Sequence, residues 1–386
     1  MAAALLVLLA GAFVVYVLFG YPLLLGFLAR RSSRPVRKAR LRKRVSIVLA
    51  VRDGGRWIAN KLDTLSKLDY PRDLIEILVV SDGSVDDTES IVEAAAMPNL
   101  RLFRLPPGGK AVALNHAIRH ATGEILFFTD VRQSLDPASL QHLVDCFADP
   151  EVGAASGELI IVEGETMAEV NIGLYWKYEK LIRKRLSRID SVLGATGCIY
   201  AMRRELAVEL PADTLLDDVH LPLGAFFRGY RVILDDTAKA FDFPTALNAE
   251  FRRKVRTQAG MYQIVRSFPA LLGPGSNRMW IHFVSHKLGR LLLPFAMLVM
   301  LVASLLLPWP WSIAAAGAQA AFYGLGALDL VLRERSRLKR VTSPVRTFVV
   351  LIAAAFCAAS ILFLPRKALW GRTEVRQTKY SGSELQ

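Results

Sequence analysis

Between Val45 and Leu105, unbroken runs of branched apolar residues alternate with stretches in which apolar residues recur every three or four positions. Val45 to Val51, Leu74 to Val80 and Leu100 to Leu105 predict strands, and Arg56 to Leu68 and Asp87 to Ala96 predict the helices between them. The rhythm continues as a helix from Lys110 to Arg119, a strand Glu124-Ile-Leu-Phe-Phe-Thr-Asp130, a helix from Asp136 to Phe147 and an extended segment from Val152 to Val162. Strands apolar on both faces must be covered on both sides, so this alternation predicts an α/β fold around a mostly parallel sheet. Gly83-Ser84 and Asp86-Asp87-Thr88 supply the turn and the N-cap after the second strand, and a helix N-terminus there offers free N–H groups to an anion.

After Lys180 the pattern loosens into a basic amphipathic stretch (Tyr178 to Arg188), a glycine-containing segment (Gly194, Gly197), an acidic turn (Asp217, Asp218) and Phe226 to Leu234. The two ends are different in kind. Ala2 to Leu28 is apolar throughout, and Leu291 to Leu307, Ile313 to Leu332 and Phe348 to Leu364 are each near the roughly 17 to 25 residues that a spanning helix needs. Pro308-Trp-Pro-Trp311 suits a tight interfacial hairpin, and Met261 to Lys287, with Trp280, His282, His286 and Lys287, suits a segment lying flat on a membrane. The expected organisation is an anchor (1–29), a basic juxtamembrane linker (30–44), an α/β domain (45–260), an interfacial segment (261–290), C-terminal spans (291–365) and a polar tail (366–386).

Composition supports that division. With 53% hydrophobic residues and mean hydropathy +0.31, the 386-residue chain is too apolar for an ordinary soluble domain. Much of its formal charge of +14 gathers between Arg30 and Arg44, directly behind the first apolar stretch. A cleaved signal peptide carries its basic residues ahead of the apolar core, so this order reads as a retained anchor with a positive-inside flank and a cytoplasmic domain. Because the basic clusters hug apolar segments, the expected partner is membrane lipid and not nucleic acid. Three further crossings would put the basic tail (Arg366, Lys367, Arg372, Arg376, Lys379) outside, which leaves one segment to be re-entrant or interfacial. Cys146, Cys198 and Cys357 have no metal-ligand spacing and suit a reducing compartment.

Two carboxylates, Asp82 and Asp130, stand where buried strands stop. The carboxyl ends of parallel strands form the ligand crevice of an open α/β sheet, so acids there meet a polar ligand rich in phosphate and hydroxyl groups.

Val45-Ser-Ile-Val-Leu-Ala-Val51, Val80-Ser-Asp-Gly-Ser84, Gly109-Lys110 with Ala113-Leu-Asn115, the Asp130 strand end and Asp217-Asp218 follow one another in a familiar order. From about Val45 to Gly260 the chain resembles the membrane-bound family-2 inverting glycosyltransferases of the exopolysaccharide and cellulose-synthase-like kind. The resemblance implies a GT-A fold with Ala50, Arg52 and Asp53 beside the nucleotide, Asp82 and Gly83 at the uracil base, and Lys110 opposing diphosphate charge. It places Asp130 as the first acid of an Asp-x-Asp motif that holds Mg²⁺ or Mn²⁺ against the diphosphate. The second acid is here Arg132, which cannot ligate a metal but can pair with phosphate. Asp218, the second acid of Asp217-Asp218, would be the base that deprotonates the acceptor. In place of the processive Gln-x-x-Arg-Trp motif stands Arg253-Lys-Val-Arg256-Thr257, which keeps Arg256 for the acceptor or diphosphate, puts Arg253 at the glutamine position and lacks the aromatic platform.

Plainer readings stand beside these: Lys110 as a solvated helix start, Asn115 as a packing residue, Arg132 pointing to solvent, and Asp217-Asp218 as a helix cap. The function implied is transfer of a sugar from a UDP-sugar to a lipid-linked or saccharide acceptor at the cytoplasmic face of the inner membrane. A non-catalytic nucleotide-binding membrane module is the alternative. A transporter fits less well, because the apolar segments lack polar residues for a substrate path.

Overall fold

The computed structural model describes residues 1–161, 167–243, 247–333 and 336–363, with backbone alone at 167–174 and 247–248. Its centre is an eight-stranded sheet with strand order β3-β2-β1-β4-β7-β6-β8-β5. The strands are β1 (Val45–Val51), β2 (Ile75–Asp82), β3 (Leu100–Leu105), β4 (Ile125–Phe128), β5 (Ser134–Leu135), β6 (Val152–Ile161), β7 (Tyr200–Arg203) and β8 (Arg231–Asp242). β1 lies parallel between β2 and β4, with Val45 opposite both Ile75 and Ile125, and β2 pairs parallel with β3. β7 runs antiparallel to β4 and to β6, whereas β6 and β8 are parallel. The reversal at β7 brings its amino end to the same sheet edge as the carboxyl ends of β1, β2 and β4. The cleft opens at that edge, beyond β1 and β4 and before β7.

Alternate residues of the central strands point into two separate cores. Val48, Leu78, Val80, Leu126 and Phe128 face one; Ile47, Leu49, Ile77, Val79 and Phe127 face the other. The Gly55–Ser66 helix covers the second core with Ile58, Leu62 and Leu65. The Lys110–His120 helix covers the first with small residues, Ala111, Ala113 and Ala117, which bring its axis close to the sheet. Each fully buried large side chain contributes about 1.5 to 3 kcal/mol, so the strand ends that carry the site are among the most strongly held parts of the chain.

Among the described residues, three helices are long and apolar enough to cross a membrane: Ala2–Arg31, Trp280–Leu305 and Lys339–Leu362. The fourth expected span is a helix, Trp311–Leu328, long enough at 18 residues but, with Gln319 and three glycines, not apolar enough to join that group. The chain beyond it turns at Asp329, whose buried carboxylate meets Arg346 (3.2 Å) and the Thr342 hydroxyl (2.8 Å). The 261–290 segment is not one flat interfacial element. Ala259, Met261 and Ile264 of the Leu247–Ser267 helix are buried in the domain core, and Trp280 begins a candidate span. Two of the residues that suggested a water interface pack against protein: His282 hydrogen-bonds Tyr21 (Nδ1 to Oη, 3.1 Å), and His286 faces Glu179.

Nor is the 30–44 linker only a lipid-facing flank. Arg34 pairs with Glu151 and Asp190 (both 2.9 Å), Lys38 with Asp235 (2.6 Å) and Lys43 with Glu124 (2.6 Å), so part of its charge ties it to the domain. The polar tail and the last residues assigned to the C-terminal span and to β6, Leu364 and Val162, lie outside the described residues.

Candidate active site

The cleft at the strand ends has a volume of about 650 Å³ and extends to the membrane-side helices. Ala50, at the end of β1, and Arg52 and Asp53 in the turn behind it line one wall. Asp53 adopts φ 49°. Its N–H donates to Ser84 Oγ (3.1 Å) and its carboxylate accepts from the Val85 N–H (3.0 Å), lacing together the turns after β1 and β2.

β4 stops at Phe128, and Asp130 projects into the cleft two residues later. Its turn is gripped from below by Lys61, whose buried Nζ donates to Thr129 Oγ1 (2.8 Å) and to the Gln133 carbonyl (2.5 Å). Thr129 in turn donates to the Cys198 carbonyl (2.9 Å). Burial lowers the Lys61 pKa to about 8. Sequence reading missed this lysine, although the signal was present: a charge inside the apolar stripe Ile58, Leu62, Leu65 of an amphipathic helix is out of place unless it has partners.

Lys110 is the hub of a charged cluster in the cleft. From the first residue of its helix, Nζ reaches Asp130 Oδ1 (3.0 Å) and Asp217 Oδ2 (3.2 Å). Burial opposes its charge, but Asp130, Asp217 and Asp218 outweigh that and hold it above the ordinary lysine range. It is not a solvated helix start. Asp217 and Asp218 occupy the first turn of the Asp217–Phe227 helix, where backbone N–H groups favour negative charge. Asp217 is buried; Asp218 is half-buried, and desolvation and the neighbouring Asp217 raise its pKa to about 6. Gly197 passes so close that a Cβ there would lie 3.0 Å from Asp218 Oδ2, so a side chain at 197 would crowd the carboxylate.

Other expected site residues have different surroundings. Asp82, 5% exposed, is not among the residues lining the cleft. Its carboxylate accepts from the backbone N–H groups of Gly108 (2.6 Å) and Gly109 (2.9 Å), and so pins the loop that launches Lys110. Gly83, at φ 64°, turns the chain away behind it. Asn115 is a packing residue: its amide brackets Leu210 with hydrogen bonds of 2.8 and 2.9 Å. Arg132 lines the cleft and does not simply point to solvent: one arm of its guanidinium pairs with buried Asp242, which Gln133 also contacts (2.8 Å), while its buried Nε has no partner among the described residues.

On the membrane side, Arg253 forks onto Glu250 (2.8 and 2.8 Å) and packs over Trp176, with 5.0 Å between guanidinium and ring centre. Arg256 lines the cleft, and its buried Nε has no partner among the described residues. Thr257 brings no aromatic ring, but Tyr175 and Trp176, from the Met167–Ile189 helix, also line the cleft. Sequence spacing could not have found them, since they come from an element some 80 residues away from the motif window. Glu179, on the same helix, pairs with Arg290, and although burial opposes its ionisation, Arg290 and His286 hold its pKa well below the carboxylate range.

Among the described residues, no three His, Cys, Asp or Glu side chains gather as a metal cage. Asp130, with 38% of its side chain exposed, presents a carboxylate to the cleft. That donor suits a hard divalent cation whose remaining ligands are the phosphate oxygens of the bound nucleotide.

A mixed, mostly parallel sheet with acids at its strand ends and a helix-borne acid pair across the cleft defines a GT-A glycosyltransferase domain. Residues 46–210 match the glycosyl transferase family 2 model. Among curated relatives, it is 21% identical over 229 residues to a poly-β-1,6-N-acetyl-D-glucosamine synthase of Staphylococcus aureus, covering 57% of this chain and 55% of that one. It is 27% identical over 189 residues to a β-monoglucosyldiacylglycerol synthase of Nostoc, covering 46% and 40%. The chain thus matches about half the length of these relatives or less. A solved mannosyltransferase from Pyrobaculum calidifontis, in complex with GDP-Man and Mn²⁺, superposes with a TM-score of 0.71 at 27% identity, over 93% of this chain and 99% of that one.

Proposed function

We propose that this protein is an inverting glycosyltransferase that moves a sugar from a nucleoside-diphosphate sugar, UDP- or GDP-linked, to a lipid-linked or saccharide acceptor at the cytoplasmic face of a membrane. The observation that carries this reading is the convergence of Lys110, Asp130, Asp217 and Asp218 in one cleft that runs from the strand ends to the membrane-side helices. The UDP alternative follows the sequence motifs, and the GDP alternative follows the mannosyltransferase, whose relation to this chain extends over nearly its whole length.

The chemistry needs a proton acceptor on one face of the sugar and charge compensation on the other. Asp218 takes the proton of the acceptor hydroxyl as its oxygen attacks the anomeric carbon, and the nucleoside diphosphate leaves with the electron pair of the breaking C–O bond. A carboxyl whose pKa is raised to about 6 is a stronger base than an ordinary aspartate and is still largely ionised at neutral pH. Arg256 opposes the charge of the departing diphosphate, and Lys110 holds Asp130 and Asp217 in place across the cleft. A divalent cation held by Asp130 would supply further compensation of diphosphate charge. Because Arg132 is already neutralised by Asp242, it does not take over that part.

The test is release of nucleoside diphosphate by the purified full chain, given UDP- and GDP-sugars with Mn²⁺ and a membrane-lipid extract as acceptor. Release from at least one donor, abolished by a chelator and restored by Mn²⁺, is expected. Nucleotide binding without release from any donor would instead favour the non-catalytic membrane module.

A further inference from the structure

The cleft is electrically divided. At the reaction centre three carboxylates, Asp130, Asp217 and Asp218, surround one lysine. Towards the membrane the balance reverses: with Asp218 acting on Lys287 only across space, Lys254, Lys287, Arg253 and Arg290 gather around Glu179 and Glu250. Both of these acids are already committed. Glu179 takes Arg290, and Glu250 takes both arms of the Arg253 fork, leaving Lys254 at 3.8 Å. No hydrogen bond or ion pair reaches Lys287 among the described residues. Lys254, 12% exposed at its side chain, donates a long hydrogen bond to the Tyr175 hydroxyl (3.3 Å) and lies 4.3 Å from that ring's centre, so protein and not solvent surrounds its charge. Enclosing that much positive charge is costly unless an anion enters with it.

We propose that the membrane-side half of the cleft is a second anion site, separate from the nucleotide's, which takes a phosphate ester carried by a lipid through Lys287 and Lys254. Depth argues for a lipid over free phosphate. From Lys287 to the end of the Trp280–Leu305 helix is about 27 Å at 1.5 Å per residue, close to the roughly 30 Å of a bilayer's hydrocarbon core. Lys287 therefore lies at headgroup level while lining the cleft that holds Asp218. A lipid phosphate bound there would bring whatever sugar or hydroxyl it carries towards the base. The assignment of that lipid as acceptor rests on the transferase reading; the anion site itself does not.

The experiment is calorimetric titration of the full chain, in a neutral detergent, with farnesyl phosphate, with farnesol, and with UDP and GDP as internal controls. Farnesyl phosphate is expected to bind and farnesol not to. Lys287→Gln and Lys254→Gln should each weaken farnesyl phosphate about tenfold, the usual scale for losing one charged hydrogen-bond donor, with nucleotide affinity within about twofold of wild type. Lys287→Arg should retain binding, and Lys254→Gln serves should Lys287→Gln fail to fold. Competition by dihexanoyl phosphatidylglycerol at equal concentration would support the site as one for a bilayer headgroup. Resistance to that competitor would support a lipid phosphate monoester. A chain that binds nucleotide but binds farnesyl phosphate no better than farnesol, or whose lysine variants bind it like wild type, overturns the anion site and leaves the transferase reading standing. A chain that binds neither overturns both.

Discussion

On the proposed mechanism, the environment of Asp218 serves catalysis and costs stability. Its pKa of about 6 means that the ionised base is lost as pH falls through that value, so turnover should decline on an acidic limb near pH 6. Asp218→Asn should lose roughly 100- to 10,000-fold in rate while still binding nucleotide. For stability the sign is opposite. Between the ordinary carboxylate value and about 6 the folded protein holds a proton that the unfolded chain has released, so stability falls as pH rises through that window and stays lower above it. Asparagine removes the penalty, and the variant should be more stable at neutral pH by on the order of 1 kcal/mol. Paired pH–rate profiles and thermal melts check both parts; wild-type turnover in Asp218→Asn would transfer the role to Asp217. The carboxylates were legible as residues because strand ends and acid pairs are local signals. Lys61 was not, because its partners Thr129 and Gln133 are brought to it only by folding.

Among the elements, the Leu247–Ser267 helix decides whether the acid pair stays in place. At Gly260 it lies against the residues just before Asp217: a Cβ there would meet Leu216 Cγ at 2.5 Å and Leu215 Cβ at 3.2 Å. Gly260→Val forces that contact apart. Overpacking of this kind typically costs about 1 to 3 kcal/mol, and displacement of Asp217 and Asp218 should lower kcat more than nucleotide affinity. Unchanged melting temperature and unchanged turnover in Gly260→Val would show that the helix does not position the acids. The strands of the α/β half were readable because apolar runs and period-2 burial are fixed locally; β1 and β3 fall on their expected limits. The helix expected over Asp136 to Phe147 is shorter, Ser139–Asp145, because Asp136 and Pro137 serve the preceding turn, where the Asp136 carboxylate accepts from the Ala138 N–H (2.9 Å).

For the molecule as a whole, the domain is joined to its apolar helices by chemistry as well as by chain. Glu179–Arg290, Tyr21–His282 and the bond from Arg185 to the Pro22 carbonyl (2.8 Å) link the Met167–Ile189 helix and the two candidate spans nearest the cleft. On the proposed reading, those contacts hold the cleft at headgroup level. The chain is expected to stay with membranes after alkaline carbonate washing. Its 45–260 domain should be cleaved by protease in inside-out vesicles and protected in intact cells. Release by carbonate, or cleavage in intact cells, would reverse the orientation drawn from the positive flank.

By itself the sequence determined the class of this protein: periodicity set the alternating strands and helices, apolar length and flanking charge set the membrane-directed ends, and motif order identified the acids at the cleft. These are properties of neighbours along the chain. Tertiary structure alone decided which of those residues act together. It bound Asp82 to the loop before Lys110, neutralised Arg132 with Asp242, put Trp176 and Tyr175 where the altered motif lacks an aromatic, and turned His282 and His286 from interfacial residues into packed ones. The reason is physical: a polar side chain buried by folding must find a partner, and that partner comes from whatever element the sheet and the spans bring against it, which no spacing in the sequence records.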